Sequence, residues 1–171
     1  EIESFFKEML DTGYEGIMIK DLSGEYQAGT RGWNWIKWKK DYVTEMIDTF
    51  DLVVVGAFHG KGKRSGVYGA LLCAVYDNSK DEFLTLCKVG TGLTDAVLGE
   101  LPKKLGKVIK KPVRVKVKRE MEPDVWFEPT VVIEVLAAEL TKSPFHTAGV
   151  ALRFPRFVQF REDKDAEQAT T

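Results

Sequence analysis

The sequence predicts a mainly β protein: a closed barrel of short strands with few helices, preceded by a fragment of an α+β domain. Three observations carry this. From residue 51 onward, apolar runs of strand length alternate with turn residues at regular spacing. A single helical segment interrupts that run, between its third and fourth strands. Before it, residues 1–43 contain one amphipathic helix and two alternating strands. The 171 residues suit one domain of ordinary size, or one domain and a piece of another, and 44% hydrophobic content can build a core.

Ile2, Phe5, Phe6, Met9 and Leu10 form one helical stripe over residues 2–10, with Gly13 as the stop. The stripe is expected to pack in a core. Residues 14–20 form a strand on which Ile17 and Ile19 point one way and Gly16, Met18 and Lys20 the other. Residues 21–34 hold three glycines and Arg31 and read as a loop. In the strand over 35–42, Ile36 and Trp38 lie opposite Lys37 and Lys39. The two lysines therefore point together, either as a solvated guard on an edge strand or as a phosphate site.

The domain boundary is expected within residues 43–50, with 41–44 as a hinge. Strands are expected at 51–58, 67–76, 82–89, 112–118 and 131–138, and the Asp77-Asn78-Ser79 run is a turn signal. Thr94 can cap a helix through Leu105, which Pro102 is expected to kink or split. Residues 150–161 form a last extended segment. Five short strands with a helix between the third and fourth is the order of an OB-fold barrel. The assignment is thus residues 1–43 for the first domain, 44–164 for the barrel and 165–171 for a polar, fraying tail.

The net charge of -1 does not by itself point to nucleic acid, but charge is unevenly placed: residues 103–119 carry nine cations and no acid. On 112–118, Val113, Val115 and Val117 face one side and Arg114, Lys116 and Lys118 the other. The apolar row suits a barrel interior; the cationic row suits a solvated face or a phosphate backbone. Lys61, Lys63 and Arg64 lie among glycines in a basic turn. Cys73 and Cys87 sit in apolar runs and read as core residues of a reducing compartment. With His59 and His146 they make no zinc pattern, and no signal peptide or membrane span is visible. A soluble intracellular protein is expected. The chain starts without Met, inside a helix, and is expected to be a fragment.

The stretch Glu15-Gly16-Ile17-Met18-Ile19-Lys20, followed by Trp35-Ile36-Lys37-Trp38-Lys39, resembles motifs IV and V of the covalent nucleotidyltransferases. The resemblance is nearest to ATP-dependent DNA ligases of the archaeal and eukaryotic replicative type. It continues through 51–57, 60–64, 87–92 and Leu152-Arg153-Phe154-Pro155-Arg156-Phe157, and ends in Arg161-Glu162-Asp163-Lys164, which resembles motif VI. In that family a lysine of a Lys-x-Asp-Gly motif is adenylated by ATP, AMP passes to the 5′-phosphate at a DNA nick, and the 3′-hydroxyl displaces it. No Lys-x-Asp-Gly occurs here, so the nucleophile is expected upstream of Glu1.

The resemblance implies roles. Glu15 would hold Mg²⁺. Lys20, Lys37 and Lys39 would surround the α-phosphate. Arg31 would meet nucleotide or DNA, and Arg161, Asp163 and Lys164 the departing pyrophosphate, the rival for these three being a solvated tail. Lys63, Arg64, Arg114, Lys116, Lys118, Arg153 and Arg156 would meet DNA. Phe154 would wedge into the minor groove unless it is a core aromatic, as Phe157, Phe160, Trp126 and Phe127 are expected to be. Trp33, Trp35 and Trp38 are assigned to packing ahead of base stacking. ATP, Mg²⁺ and nicked duplex DNA are the implied ligands of a monomeric enzyme of the cytoplasm and nucleoid, or of the nucleus. A sliding clamp would bind through regions outside this chain. An RNA ligase, an mRNA capping enzyme and a non-catalytic OB-fold nucleic-acid-binding module are the alternatives.

Overall fold

The computed structural model describes residues 1–25, 28–29, 32–39 and 48–171. The chain divides into two compact units, residues 1–45 and 46–171. Within the first, α1 (Ile2–Asp11) is followed by strands β1 (Gly16–Lys20) and β2 (Trp35–Lys39), paired antiparallel. Of the helix stripe only Phe6 is buried, stacked on Trp38 with ring centroids 4.8 Å apart, while Ile2 and Phe5 are exposed. Gly13 ends the helix at φ +91°, its N–H donating to the Leu10 carbonyl. Gly16 sits where a Cβ would stand 2.1 Å from the Trp38 carbonyl oxygen, so only glycine lets the two strands close.

The second unit is built on β3 (Asp48–His59), which is buried on both faces along Leu52–Val55. Next come β4 (Tyr68–Asp77) and β5 (Glu82–Val89), joined by a turn in which the Asp77 carboxylate accepts from the Ser79 N–H and hydroxyl. Helix α2 (Asp95–Leu105) is capped by Thr94, whose hydroxyl accepts from Val97 N–H. It runs unbroken past Pro102, so the expected split does not occur. The remaining strands are β6 (Val115–Lys116), β7 (Val125–Trp126), β8 (Val132–Ala137), β9 (Glu139–Lys142), β10 (Val150–Arg153) and β11 (Arg156–Phe160).

The main sheet runs β11-β8-β3-β4-β5-β6, with β7 beside β3. A parallel bridge from Thr91, just past β5, to Arg156 closes it into a barrel. Gly92 makes that closure possible: it has φ +86°, and a Cβ there would lie 2.4 Å from the Phe157 carbonyl oxygen. The closed order β3-β4-β5-β11-β8 is that of an OB-fold, with α2 inserted after the third strand.

The fourth barrel strand is thus β8 and the fifth β11. The expected strand over 112–118 shrinks to the two residues of β6. Pro112 offers no N–H, and its carbonyl is spent on a turn that accepts from Val115 N–H. Val113 is 91% exposed, and only Val115 of the valine row is buried.

The barrel interior holds Leu52, Val54, Leu71, Cys73, Cys87, Val89, Ile133 and Phe157, with Leu98, Leu101 and Leu105 of α2 packed against it. Burial raises the Cys73 thiol pKa, as suits an inert core thiol. A second apolar layer, Val53, Val55, Leu72, Phe83, Val115 and Val132, is covered by Ala166 and Ala169. The segment 165–171 therefore packs instead of fraying. It forms a 3₁₀ turn at Ala166–Gln168, the Thr170 N–H donates to the Asp51 carbonyl, and the Thr170 carbonyl accepts from Tyr76 N–H. Two small side chains at the right spacing suffice to cover an apolar layer, which a polar composition conceals.

Candidate functional site

Pairing Met18 with Lys37 and Gly16 with Lys39 fixes which side chains share a face of the β1–β2 ribbon. Lys20, Lys37 and Lys39 lie together on one face, while Ile17, Ile19, Ile36 and Trp38 lie on the other. The Lys39 ammonium donates to the Glu15 carboxylate at 2.8 Å, and the Lys20 ammonium lies 4.4 Å from the centre of the Trp35 ring. Among the described residues, this face of the ribbon thus carries three ammonium groups, with the Glu15 carboxylate against one of them. Arg31 and the hinge expected at 41–44 lie outside the described residues.

Among the described residues no group of three or more His, Cys, Asp or Glu side chains is placed to hold a metal. Glu15, whose carboxylate accepts from the Lys39 ammonium, suits Mg²⁺ only in the manner in which that ion shares itself between a protein carboxylate and substrate phosphates. The residues present fit that arrangement and not a protein cage.

Arg161, Asp163 and Lys164 form a second charged cluster, in the barrel unit. Arg161 grips Asp163 through Nε at 2.9 Å and Nη2 at 2.7 Å. This pairing holds the Asp163 carboxyl down at about 2 and raises the Arg161 pKa further. Nη1 of Arg161 donates to Asp51 Oδ1 at 2.9 Å, and Lys164 Nζ donates to the other Asp51 oxygen. These three residues are thus not a loose solvated tail. Asp51, which ties them to β3, stands in the sequence at the start of an apolar run, within the family-like stretch 51–57, with nothing there to mark it as a partner of these cations.

In space, part of the basic run 103–119 meets acids that the linear sequence does not place beside it. Arg114 pairs with Asp81 and Glu167, Lys116 with Glu82 at 3.1 Å, and Lys104 with Glu162, while Lys118 donates to the Pro144 carbonyl at 2.6 Å. The acids come from β5, the turn before it and the C-terminal segment. Nor is Arg64 part of a loose basic loop. Its guanidinium donates to the carbonyls of Gly90 at 3.0 Å, Leu93 at 3.1 Å and Gly69 at 3.4 Å, from a 3₁₀ turn over Gly62–Arg64. Lys63 beside it is exposed.

The turn between β10 and β11 presents Phe154. Its φ is +53°, a conformation that costs a bulky residue energy, and its side chain is 49% exposed. Arg153 ion-pairs with Glu139 at 3.1 Å and lies 5.2 Å over the Phe154 ring, and Arg156 is exposed. Phe157 and Phe127 are buried in the core, as expected.

Residues 64–164 match the sequence family described as ATP dependent DNA ligase C terminal region, and residues 1–39 match the ATP dependent DNA ligase domain. The chain belongs to the ATP-dependent DNA ligase family. The DNA ligase of Sulfophobococcus zilligii is 52% identical over 182 residues, which cover 100% of this chain and 30% of that protein. The chain thus spans about a third of the length of such relatives. Among solved structures, the ligase domain from M. tuberculosis LigD aligns with a TM-score of 0.60 at 25% identity, over 97% of this chain and 50% of that one. A mycobacterial DNA ligase D complexed with ATP and MES aligns with a TM-score of 0.55 at 26% identity, over 96% and 49% respectively.

Within this ligase-family chain, the described residues named from sequence for the nucleotide and metal fall into two sets. Glu15, Lys20, Lys37 and Lys39 share one ribbon of the first unit, and in the barrel Arg161 and Lys164 share the Asp51 carboxylate while Asp163 is held by Arg161. Sequence reasoning missed Asp51 and the acids that face the basic run. Its one available hint was that a basic segment without internal acids in a chain of charge -1 must find them elsewhere.

Proposed function

We propose that the whole enzyme seals 5′-phosphate/3′-hydroxyl nicks in duplex DNA through enzyme-AMP and DNA-adenylate intermediates. This chain contributes phosphate contacts and DNA binding, and the nucleophilic lysine comes from outside it. The observation that carries the reading is the shared face of Lys20, Lys37 and Lys39 beside Glu15.

Each transfer moves a phosphoryl group whose nonbridging oxygens carry charge through the transition state. Ammonium groups held on a paired ribbon stabilise that charge without reorganising. Lys37 and Lys39 contact the α-phosphate, with Lys20 one position along. Glu15 keeps the Lys39 ammonium oriented and is the residue that would hold Mg²⁺. When bound, that ion supplies Lewis-acid stabilisation of phosphate oxygens. Arg31 serves the nucleotide. Arg161 and Lys164, with Asp163 orienting the guanidinium, meet the pyrophosphate as ATP is consumed, which requires the barrel unit to approach the nucleotide and later withdraw for DNA. Lys63, Arg153 and Arg156 meet the DNA backbone and Phe154 its minor groove. Arg114, Lys116 and Lys118 reach phosphate only by exchanging present partners for it. The reading includes a monomer acting where DNA is held, in the cytoplasm and nucleoid or in the nucleus, and any clamp contact made by other regions.

The test uses the complete enzyme with ATP, Mg²⁺ and a 5′-phosphorylated nicked duplex, following AMP labelling and sealing. Sealing by the wild type, and its loss in a folded Lys39→Ala variant, is the expected result. AMP labelling without sealing would point to an RNA ligase or capping enzyme. DNA binding with neither activity would leave a non-catalytic OB-fold module. Wild-type turnover by Lys39→Ala would remove that residue from the site.

A further inference from the structure

We infer that Asp51 is a positioning residue for the ATP-consuming step: its carboxylate holds the Arg161 guanidinium and the Lys164 ammonium in one fixed arrangement for the pyrophosphate. The inference rests on the proposed role of Arg161 and Lys164 in that step.

Asp51 is unusual among the acids of the barrel in that both of its oxygens are committed to different cations. Oδ1 accepts from Arg161 Nη1 at 2.9 Å and Oδ2 accepts from Lys164 Nζ. Its side chain is only 16% exposed, against 64% for Asp163, so this partner is largely withdrawn from water. The residue is also rigidly mounted. It lies within β3 opposite Glu134 of β8, and the tail straps its other edge: Asp51 N–H donates to the Thr170 hydroxyl at 3.1 Å and its carbonyl accepts from Thr170 N–H at 2.8 Å. A group held on a paired strand places its partners more precisely than a loop can.

The two cations need such a mount. Arg161 and Lys164 are three residues apart in a turn closed by Lys164 N–H donating to the Arg161 carbonyl. Without a shared anion their like charges push the side chains apart, and both are long and rotamer-rich. With Asp51 and Asp163 in place, one edge and one corner of the guanidinium are committed and the remaining N–H groups keep a set direction. Lys164 likewise spends one of its three N–H donors on Asp51. The uncommitted donors are what an incoming pyrophosphate oxygen would meet. Asparagine cannot replace the carboxylate, because it offers one acceptor oxygen and sets an NH₂ donor against the second cation.

The experiment compares Asp51→Asn, Asp51→Glu and Arg161→Ala with wild type in the complete enzyme. Two reactions are measured: AMP labelling of the enzyme as a function of ATP concentration, and sealing of a nicked duplex that already carries the 5′-adenylate. The second reaction bypasses ATP. Asp51→Asn is expected to raise KM for ATP and slow labelling, together by on the order of 10- to 100-fold, the scale seen when a reacting group is misplaced by about 1 Å. Sealing of the pre-adenylated nick is expected to stay near wild type. Asp51→Glu, which keeps the charge, is expected to recover part of the labelling. Slow labelling in Arg161→Ala with normal labelling in Asp51→Asn would overturn the inference and leave the role of Arg161 standing. Normal labelling in Arg161→Ala would overturn both. Equal loss in the two reactions for Asp51→Asn would make Asp51 merely a structural strut of the barrel and would also overturn the inference.

Discussion

Replacing Arg64 by alanine tests whether a basic residue in a glycine-rich turn serves the fold or the DNA. Its Nη1 donates to the Gly90 carbonyl at 3.0 Å and its Nη2 to the Leu93 carbonyl at 3.1 Å, while the third contact, to Gly69 at 3.4 Å, is too long to count for much. These bonds staple the turn after β3 to the connection between β5 and α2. A hydrogen bond to a charged group contributes about 1.5–3 kcal/mol net, and the half-buried setting argues for the lower figure, so the two good bonds come to about 3 kcal/mol. Leu93 is 3% exposed, so little water can replace its donor. Lysine keeps the charge but not the fork, can reach one carbonyl at a time, and is expected to lose about half as much, about 1.5 kcal/mol. The assay is urea unfolding followed by fluorescence. With a slope of about 2 kcal/mol per M, Arg64→Ala should lower the midpoint by about 1.5 M and Arg64→Lys by about half that. Affinity for a nicked duplex, measured where each variant is fully folded, should be unchanged. A wild-type midpoint combined with weakened DNA binding would refute this reasoning and return Arg64 to the DNA interface.

Three further outcomes are expected. The triple change of Arg114, Lys116 and Lys118 to alanine should alter the slope of log affinity against log salt by less than about 1, since each group is already partnered; a fall approaching about 2.7 would mean that all three reach phosphate. Because Arg161 depresses the Asp163 carboxyl from an ordinary 3.8 to about 2, that carboxylate stabilises the fold above roughly pH 4, and the benefit fades as pH falls towards about 2. Acid unfolding followed by circular dichroism should therefore be steeper across that window in wild type than in Asp163→Asn, and superimposable curves would contradict the pairing. Phe154→Gly relieves a left-handed backbone that costs a non-glycine residue about 1–2 kcal/mol, so thermal stability should hold or rise while nicked-DNA affinity falls; an unchanged affinity would take Phe154 out of the interface.

Much of the barrel was legible because its signals are local. The apolar run of 82–89, the turn at Asp77 and the cap at Thr94 each act over a few residues, and each appears where it was expected. The strand over 112–118 shows how such reasoning fails. Its alternation of valine with cations is as regular as any in the chain, yet Pro112 diverts the backbone into a turn and leaves Val113 in solvent. The tail was missed for the opposite reason, since Ala166 and Ala169 are too small and too sparse among polar neighbours to register as a core-facing pair.

The sequence by itself determined the strand and helix signals, the common direction of Lys37 and Lys39, and the family, because side-chain direction on a strand follows from counting residues. Only the tertiary structure decided which charges meet. Arg114 finds Asp81 33 residues away, Lys116 finds Glu82 on the strand beside it, and Lys164 finds Asp51 113 residues away. Ion pairing depends on distance in space and on exclusion of water, and neither is defined until the barrel has closed. For that reason a run of cations without acids along the chain gains acidic partners for Lys104, Arg114 and Lys116 in the fold.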